Sequence, residues 1–154
     1  MEAEVQGYLT EFDILRGQIH ESIRGLNDEA ANWLPLPKGT NSIYAIISHL
    51  IGSQTHWVRR VIAGEAVQRD REAEFHASGR LTDLLSRWEK ASMESEAILE
   101  KLSLAQLGET RTVSGHPEWG RITVRWCILH LISHLAIHVG HIQLTRQLWD
   151  RRLS

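Results

Sequence analysis

Residues 126–145 read WCILHLISHLAIHVGHIQLT, twenty positions without an aspartate, glutamate, lysine or arginine. His130, His134, His138 and His141 fall in this stretch at spacings of four, four and three. At about 100° per residue, the first three drift by roughly 40° each and the fourth falls back between them, so all four share one stripe of a helix. Histidines four residues apart rise about 6 Å along the axis. Two imidazoles so spaced can lean onto one metal ion at about 2 Å. A third ligand then has to come from another helix.

A second uncharged window, residues 39–58, reads GTNSIYAIISHLIGSQTHWV. It supplies His49 and, two turns later on the same face, His56. The two windows hold six of the nine histidines. Twenty uncharged residues also match the length of a membrane span. However, Asn41, Ser42, Ser48, Ser53, Gln54, Thr55, Ser133 and Gln143 would be costly in hydrocarbon. The expectation is therefore no membrane insertion, and a pair of helices buried in the middle of a bundle, apolar on most sides because covered on most sides.

Working outward, Val5, Leu9, Phe12, Leu15, Ile19 and Ile23 recur at helical spacing and predict a first helix from Ala3 to Arg24, ended by Gly25. Leu26 to Pro37 reads as a short helical turn capped by Asn27, then a proline-bounded loop. The second helix is predicted from Asn41 or Ser42 to Gly64. The third runs from Thr82 to Leu102, with Leu84, Leu85, Trp88, Ala91, Ile98 and Leu102 on one face. The fourth runs from Thr123 to Trp149. Glu65 to Arg80 is charged and aperiodic, long enough to cross the end of a bundle, so successive helices need not be antiparallel neighbours. Gly108 to Ile122 reads as a short hairpin or a lid, with His116, beside Pro117 and Trp119, capping the site in the lid reading. The fold class is all-α, a four-helix bundle with a long crossover between its second and third helices, in one domain over residues 1–154.

Composition narrows the function. The formal charge of −2 offers no basic field for nucleic acid. The single cysteine, Cys127, rules out an intrachain disulfide and an all-cysteine zinc site. Met1 to Phe12 carries three glutamates and no apolar run, which leads to the expectation of a cytoplasmic protein without a signal peptide. A lone histidine on a buried helix is usually a hydrogen-bonded core residue. Four in one stripe are costly to bury unless something compensates, because each needs a partner and protonation would set like charges together. A metal ion offsets that cost. No histidine has glutamate three residues before it, as di-iron carboxylate bundles require, and His-Glu-x-x-His and Gly-x-Ser-x-Gly are absent. Spacing leaves two ligand sets open, His49 with His130 and His134, or His49 with His134 and His138. Cys127, seven residues before His134, is expected as a small buried hydrophobe, with entry into the metal shell as the alternative. Ser48 and Ser133 read as packing residues. His20 and His76 read as exposed, and the six tryptophans as core or interface residues.

At these residues the chain resembles the DinB/YfiT-like superfamily of metal-binding four-helix bundles. Ile46-Ile47-Ser48-His49-Leu50 with trailing Trp57 is similar to that superfamily's second-helix pattern. His134-x-x-x-His138-x-Gly140-His141-Ile142 is similar to its fourth-helix segment, and the loop from Trp33 to Ser42 to the one preceding its second helix. The resemblance covers most of the chain and implies one divalent metal, nickel, zinc or iron, held by His49, His134 and His138. It makes His130 and His141 candidates for hydrogen-bonding and orienting the metal ligands. His141 stands where glutamine is common, and Val139 where arginine often occurs. The implied activity is that of a metal-dependent enzyme, a thiol S-transferase using a low-molecular-weight thiol as cosubstrate, or a hydrolase, acting on a small molecule. The alternative is a non-catalytic stress-response or binding protein with a structural or vestigial metal. A homodimer through the uncharged helices is expected. No nucleophile is identified.

Overall fold

Helix α1, Ala3–Ile23, buries Val5, Leu9, Phe12, Leu15, Ile19 and Ile23, the residues its periodicity selects. It stops where Gly25 takes a left-handed φ of 72°, open to glycine at little steric cost. The structure is a computed structural model and describes residues 1–113 and 120–152. The proposed lid residue His116 and its neighbour Trp119 lie outside the described residues.

Short α2, Asp28–Asn32, starts where the Asn27 side chain accepts from the Ala30 N–H at 2.9 Å. Helix α3, Ile43–Gln54, starts where Ser42 accepts from the Ala45 N–H at 3.1 Å. Every residue from Ile43 to Leu50 is buried, because α2, the crossover and the two later long helices all pack around it. From Thr55 to Ile62 the same helix continues in π form, as in the bond from the Ala63 N–H to the Val58 carbonyl at 3.0 Å.

The crossover is not bare loop. It contains α4, Arg71–Phe75, capped by Asp70. Helix α5, Leu81–Leu99, ends three residues before the predicted limit, and Leu85 and Ile98 flank its buried face only partly covered. One turn, α6 at Leu104–Leu107, precedes a two-stranded antiparallel ribbon. In it β1, Thr110–Thr112, pairs with β2, Arg121–Thr123, Arg111 opposite Ile122. Thr123 then caps α7, Val124–Arg151, by accepting from the Trp126 N–H at 3.1 Å.

Cross-links give the helix directions. Glu4 meets Arg125 at 2.5 Å near the starts of α1 and α7, while Arg146 donates to the Ser22 and Arg24 carbonyls near their ends, so α1 and α7 run parallel. Arg16 pairs with Glu96 and His20 with Glu89, which sets α5 antiparallel to α1. Gln54 bonds the Ala91 carbonyl and Arg59 pairs with Glu94, which makes α3 and α5 parallel neighbours. The crossover does what its length allows: it carries the chain back so that consecutive long helices point the same way.

One expectation needs correction. The uncharged window at residues 126–145 is not covered on most sides. Helix α7 buries Cys127, Ile128, Leu131, Leu135, Val139 and Ile142, but Leu129, Ile137, Leu144 and Leu148 are exposed. Its length and composition would suit a membrane span; in the fold its buried face packs on α1 and α3.

Candidate metal centre

Antiparallel contact between α3 and α7 brings His49 onto the histidine stripe. His49 Nε2 lies 3.0 Å from His134 Nε2, and His138 Nε2 lies 3.2 Å from His134 Nε2. The three side chains each offer a ring nitrogen within 4.8 Å of the others. A tetrahedral ion bound at the usual zinc–imidazole distance separates its nitrogens by about 3.3 Å. The spacing is therefore that of a donor set gathered around one ion, and the three residues fit a divalent metal.

Each ring also has a partner at its other nitrogen. His49 Nδ1 lies 2.9 Å from a Glu74 carboxylate oxygen, His134 Nδ1 3.4 Å from Ser53 Oγ, and His138 Nδ1 3.4 Å from His141 Nδ1. A proton on the outer nitrogen leaves the inner lone pair free to coordinate. Electrostatics favour the neutral form. Burial, then the neighbouring imidazoles, pull His134 down to about 3, and burial with His49 and His141 nearby pulls His138 down to about 4. Burial also lowers His49, although Glu74 pulls the other way. Deprotonated imidazole is what a metal requires.

The fourth helix's remaining candidates separate. His141 touches the site through His138 and is exposed. His130 lies outside the three-nitrogen group. Its ring stacks on Trp126, with centroids 4.8 Å apart and planes 9° apart, and meets Trp57 at 4.8 Å. Burial lowers its pKa as well. Cys127 is fully buried, with its thiol pushed up by burial to about 11. His56 does not join the cluster. The π turns hold more residues per turn than an α-helix, so they rotate Trp57, not His56, against Trp126 and His130. His20 and His76 are exposed and pair with Glu89 and Glu72.

Sequence reading missed Ser53 and Glu74. Ser53 sits four residues after His49 on the same helical face, so spacing carried a signal for it. Glu74 comes from the aperiodic crossover, where nothing local marks it. Phe75 of the same short helix stacks on the His49 ring at 4.5 Å.

Two cavities flank the cluster. One of about 240 Å³ is lined by Ile46, His138, His141 and Leu144, with Thr40 and Asn41 at its rim. Of the three clustered histidines it touches His138. The other, about 320 Å³, lies behind His49 and is lined by Gly52, Arg69, Glu74 and Arg87.

The family model for mycothiol S-transferases matches residues 7–151 of this chain. Among solved structures, a conserved protein from Enterococcus faecalis is similar with a TM-score of 0.73 at 16% identity, covering 97% of this chain and 98% of that one. A DinB-like protein from Bacillus cereus ATCC 10987 is similar with a TM-score of 0.74 at 12% identity, covering 92% and 90%. At such identities the two structures show a shared all-α fold. Curated proteins yield no match.

Proposed function

Because the chain belongs to the mycothiol S-transferase family, and with it to the DinB/YfiT-like superfamily, we propose that it is a metal-dependent S-transferase that joins a low-molecular-weight thiol to a small electrophile. The observation that carries this reading is the convergence of His49, His134 and His138 beside a cavity that reaches His138. Three protein ligands leave positions open for a substrate, as catalytic sites do and closed structural sites do not. Neither His130 nor Cys127 supplies a fourth ligand atom to that group, which favours an enzyme over a structural or vestigial site.

A divalent ion there, nickel, zinc or iron, would hold the cosubstrate sulfur as thiolate at neutral pH. The chain's own residues do the rest. His49, His134 and His138 offer uncharged nitrogens that would hold the ion. Ile46 and Leu144 give the cavity an apolar wall for the electrophile, while Thr40 and Asn41 offer polar groups at its rim. His141 stands at the cavity wall against His138, placed to accept the thiol proton. In the transfer, sulfur bonds to the electrophilic carbon as the carbon–leaving-group bond breaks, and the leaving group departs with the electron pair. A hydrolase would use the same open position for water, but the family match favours the thiol.

We also take residues 1–154 as one domain and the protein as cytoplasmic, where thiol cosubstrates are kept reduced. A homodimer is supported by the uncharged outer stripe of α7. There exposed Ile137 lies beside exposed Ser133 and Gly140, small residues that let a second helix approach.

The test is metal analysis paired with a thiol-consumption assay. About one equivalent of metal per chain is expected. Metal-dependent loss of mycothiol with an electrophilic acceptor is expected as well. His49→Ala, His134→Ala or His138→Ala should each abolish both, and His20→Ala neither. A protein that takes up no metal on reconstitution sinks the reading.

A further inference from the structure

Glu74 carries a largely covered carboxylate with two engagements. Its side chain is 10% exposed. One oxygen lies 2.9 Å from His49 Nδ1. Arg69 donates to both oxygens, from Nε at 2.6 Å and from the terminal guanidinium nitrogen at 2.8 Å. Burying a carboxylate costs several kcal/mol unless it is paired and hydrogen-bonded, so this placement is specific. Arginine answers the charge, and the free bonding direction points at the imidazole.

The facing helix is cut to receive it. Gly52 lies in α3 three residues after His49, and a methyl group built on it would overlap the Glu74 carboxylate. Its backbone is ordinary helix, so conformation does not call for glycine. Glycine inside a helix costs roughly 0.5–1 kcal/mol relative to alanine. What that cost obtains here is room for the carboxylate at the back of a ligand histidine.

We propose that Glu74 is a positioning residue of the metal centre and that Gly52 is glycine in order to admit it. Glu74 holds the proton on His49 Nδ1 and orients the ring, so that the Nε2 lone pair faces His134 and His138. Phe75 of the same short helix packs the ring's face, and Arg69 fixes the carboxylate. The crossover thereby becomes part of the metal site and not merely a connector. The inference rests on the three-histidine metal reading.

Zinc affinity by chelator competition, on the full chain, tests it, with the visible spectrum of the cobalt-substituted protein as a second readout. Glu74→Ala and Gly52→Ala should each weaken zinc binding about 10- to 100-fold and shift the cobalt bands. Glu74→Gln, which keeps an acceptor for the Nδ1 proton, should lose less than Glu74→Ala. The Gly52→Ala/Glu74→Ala double variant should bind no more weakly than Glu74→Ala alone, because the added methyl acts only through the carboxylate. The metal-free Gly52→Ala protein should melt no lower than wild type. If Glu74→Ala does not fold, Glu74→Gln and Gly52→Ala carry the test. Affinities within twofold of wild type in these variants overturn the positioning role while the metal reading stands. Additive losses in the double variant overturn the role given to Gly52. A wild-type protein that binds no zinc overturns both the inference and the function.

Discussion

Cys127 and His134 lie seven residues apart on one helix, and burial acts on them in opposite chemical senses. It pushes the thiol up to about 11 and pulls the imidazole down to about 3. Each group is thereby kept neutral. For the thiol, neutrality means neither nucleophile nor ligand; for the imidazole, it means a ligand ready to bind. Cys127→Ser should therefore leave zinc affinity within twofold while lowering stability by about 1–3 kcal/mol, since it places a hydroxyl in an apolar site. Denaturant unfolding and chelator competition separate the two effects, and a tenfold change in affinity would place Cys127 in the metal shell. At this scale much of the site was legible. His134 and His138 follow from i, i+4 spacing, and the resemblance chose them with His49 over the His130 set. Glu74 was not legible, because a contact made across a chain reversal leaves no periodic trace. His56 misled because the wheel that aligned it with His49 assumed α-helical turns throughout.

Among the elements, α7 does two jobs on adjacent stripes. Its inner side carries the core and the histidines, its outer side exposes Leu129 and Ile137, and exposed Leu144 and Leu148 line the cavity beside His138. Absence of charge over residues 126–145 was read as burial by the rest of the chain, but one face is left to solvent. Sequence cannot say whether an apolar face will meet its own chain or another. If that face joins two copies, Ile137→Asp should shift sedimentation from dimer to monomer at unchanged metal content. A wild-type monomer at micromolar concentration ends the idea. Capping was easier to read. Asn27 caps as expected, and Ser42 and Thr123 stand at the predicted starts of α3 and α7. Ser42→Ala should cost about 1 kcal/mol in chemical denaturation. Five-residue α4 has no periodicity to display, so the crossover's length was visible but its helix was not.

For the whole molecule, crossover length already implied that consecutive helices could run parallel, and the cross-links of α3 to α5 bear this out. The three-histidine cluster lies between α3 and α7, so its protonation bears on global stability. Unfolded histidine titrates near 6.5, whereas in the folded metal-free chain His134 and His138 sit at about 3 and about 4. Between those values the unfolded chain binds more protons, so stability must fall as pH drops from about 6.5 toward 4. The slope is bounded by about 1.4 kcal/mol per pH unit for each histidine. A second loss begins lower. Arg125 and Tyr8 hold Glu4 down at about 2, so its contribution is present above about 4.5 and disappears as pH falls through 2. A divalent ion bound by the three histidines would oppose this loss, adding about 2.7 kcal/mol when free ion stands at 100 times its dissociation constant. Because protons compete weakly for these imidazoles, the folded protein should retain zinc well below pH 6, where ordinary histidines would release it. Urea unfolding at pH 7.5, 6 and 5, with zinc and with chelator, reads out both effects. The chelated protein should lose stability across the series, and the zinc-bound protein should stay above it down to pH 5. A flat chelated series would mean that the histidines are not held neutral. Coincident curves at pH 7.5 would mean that no ion binds the folded chain.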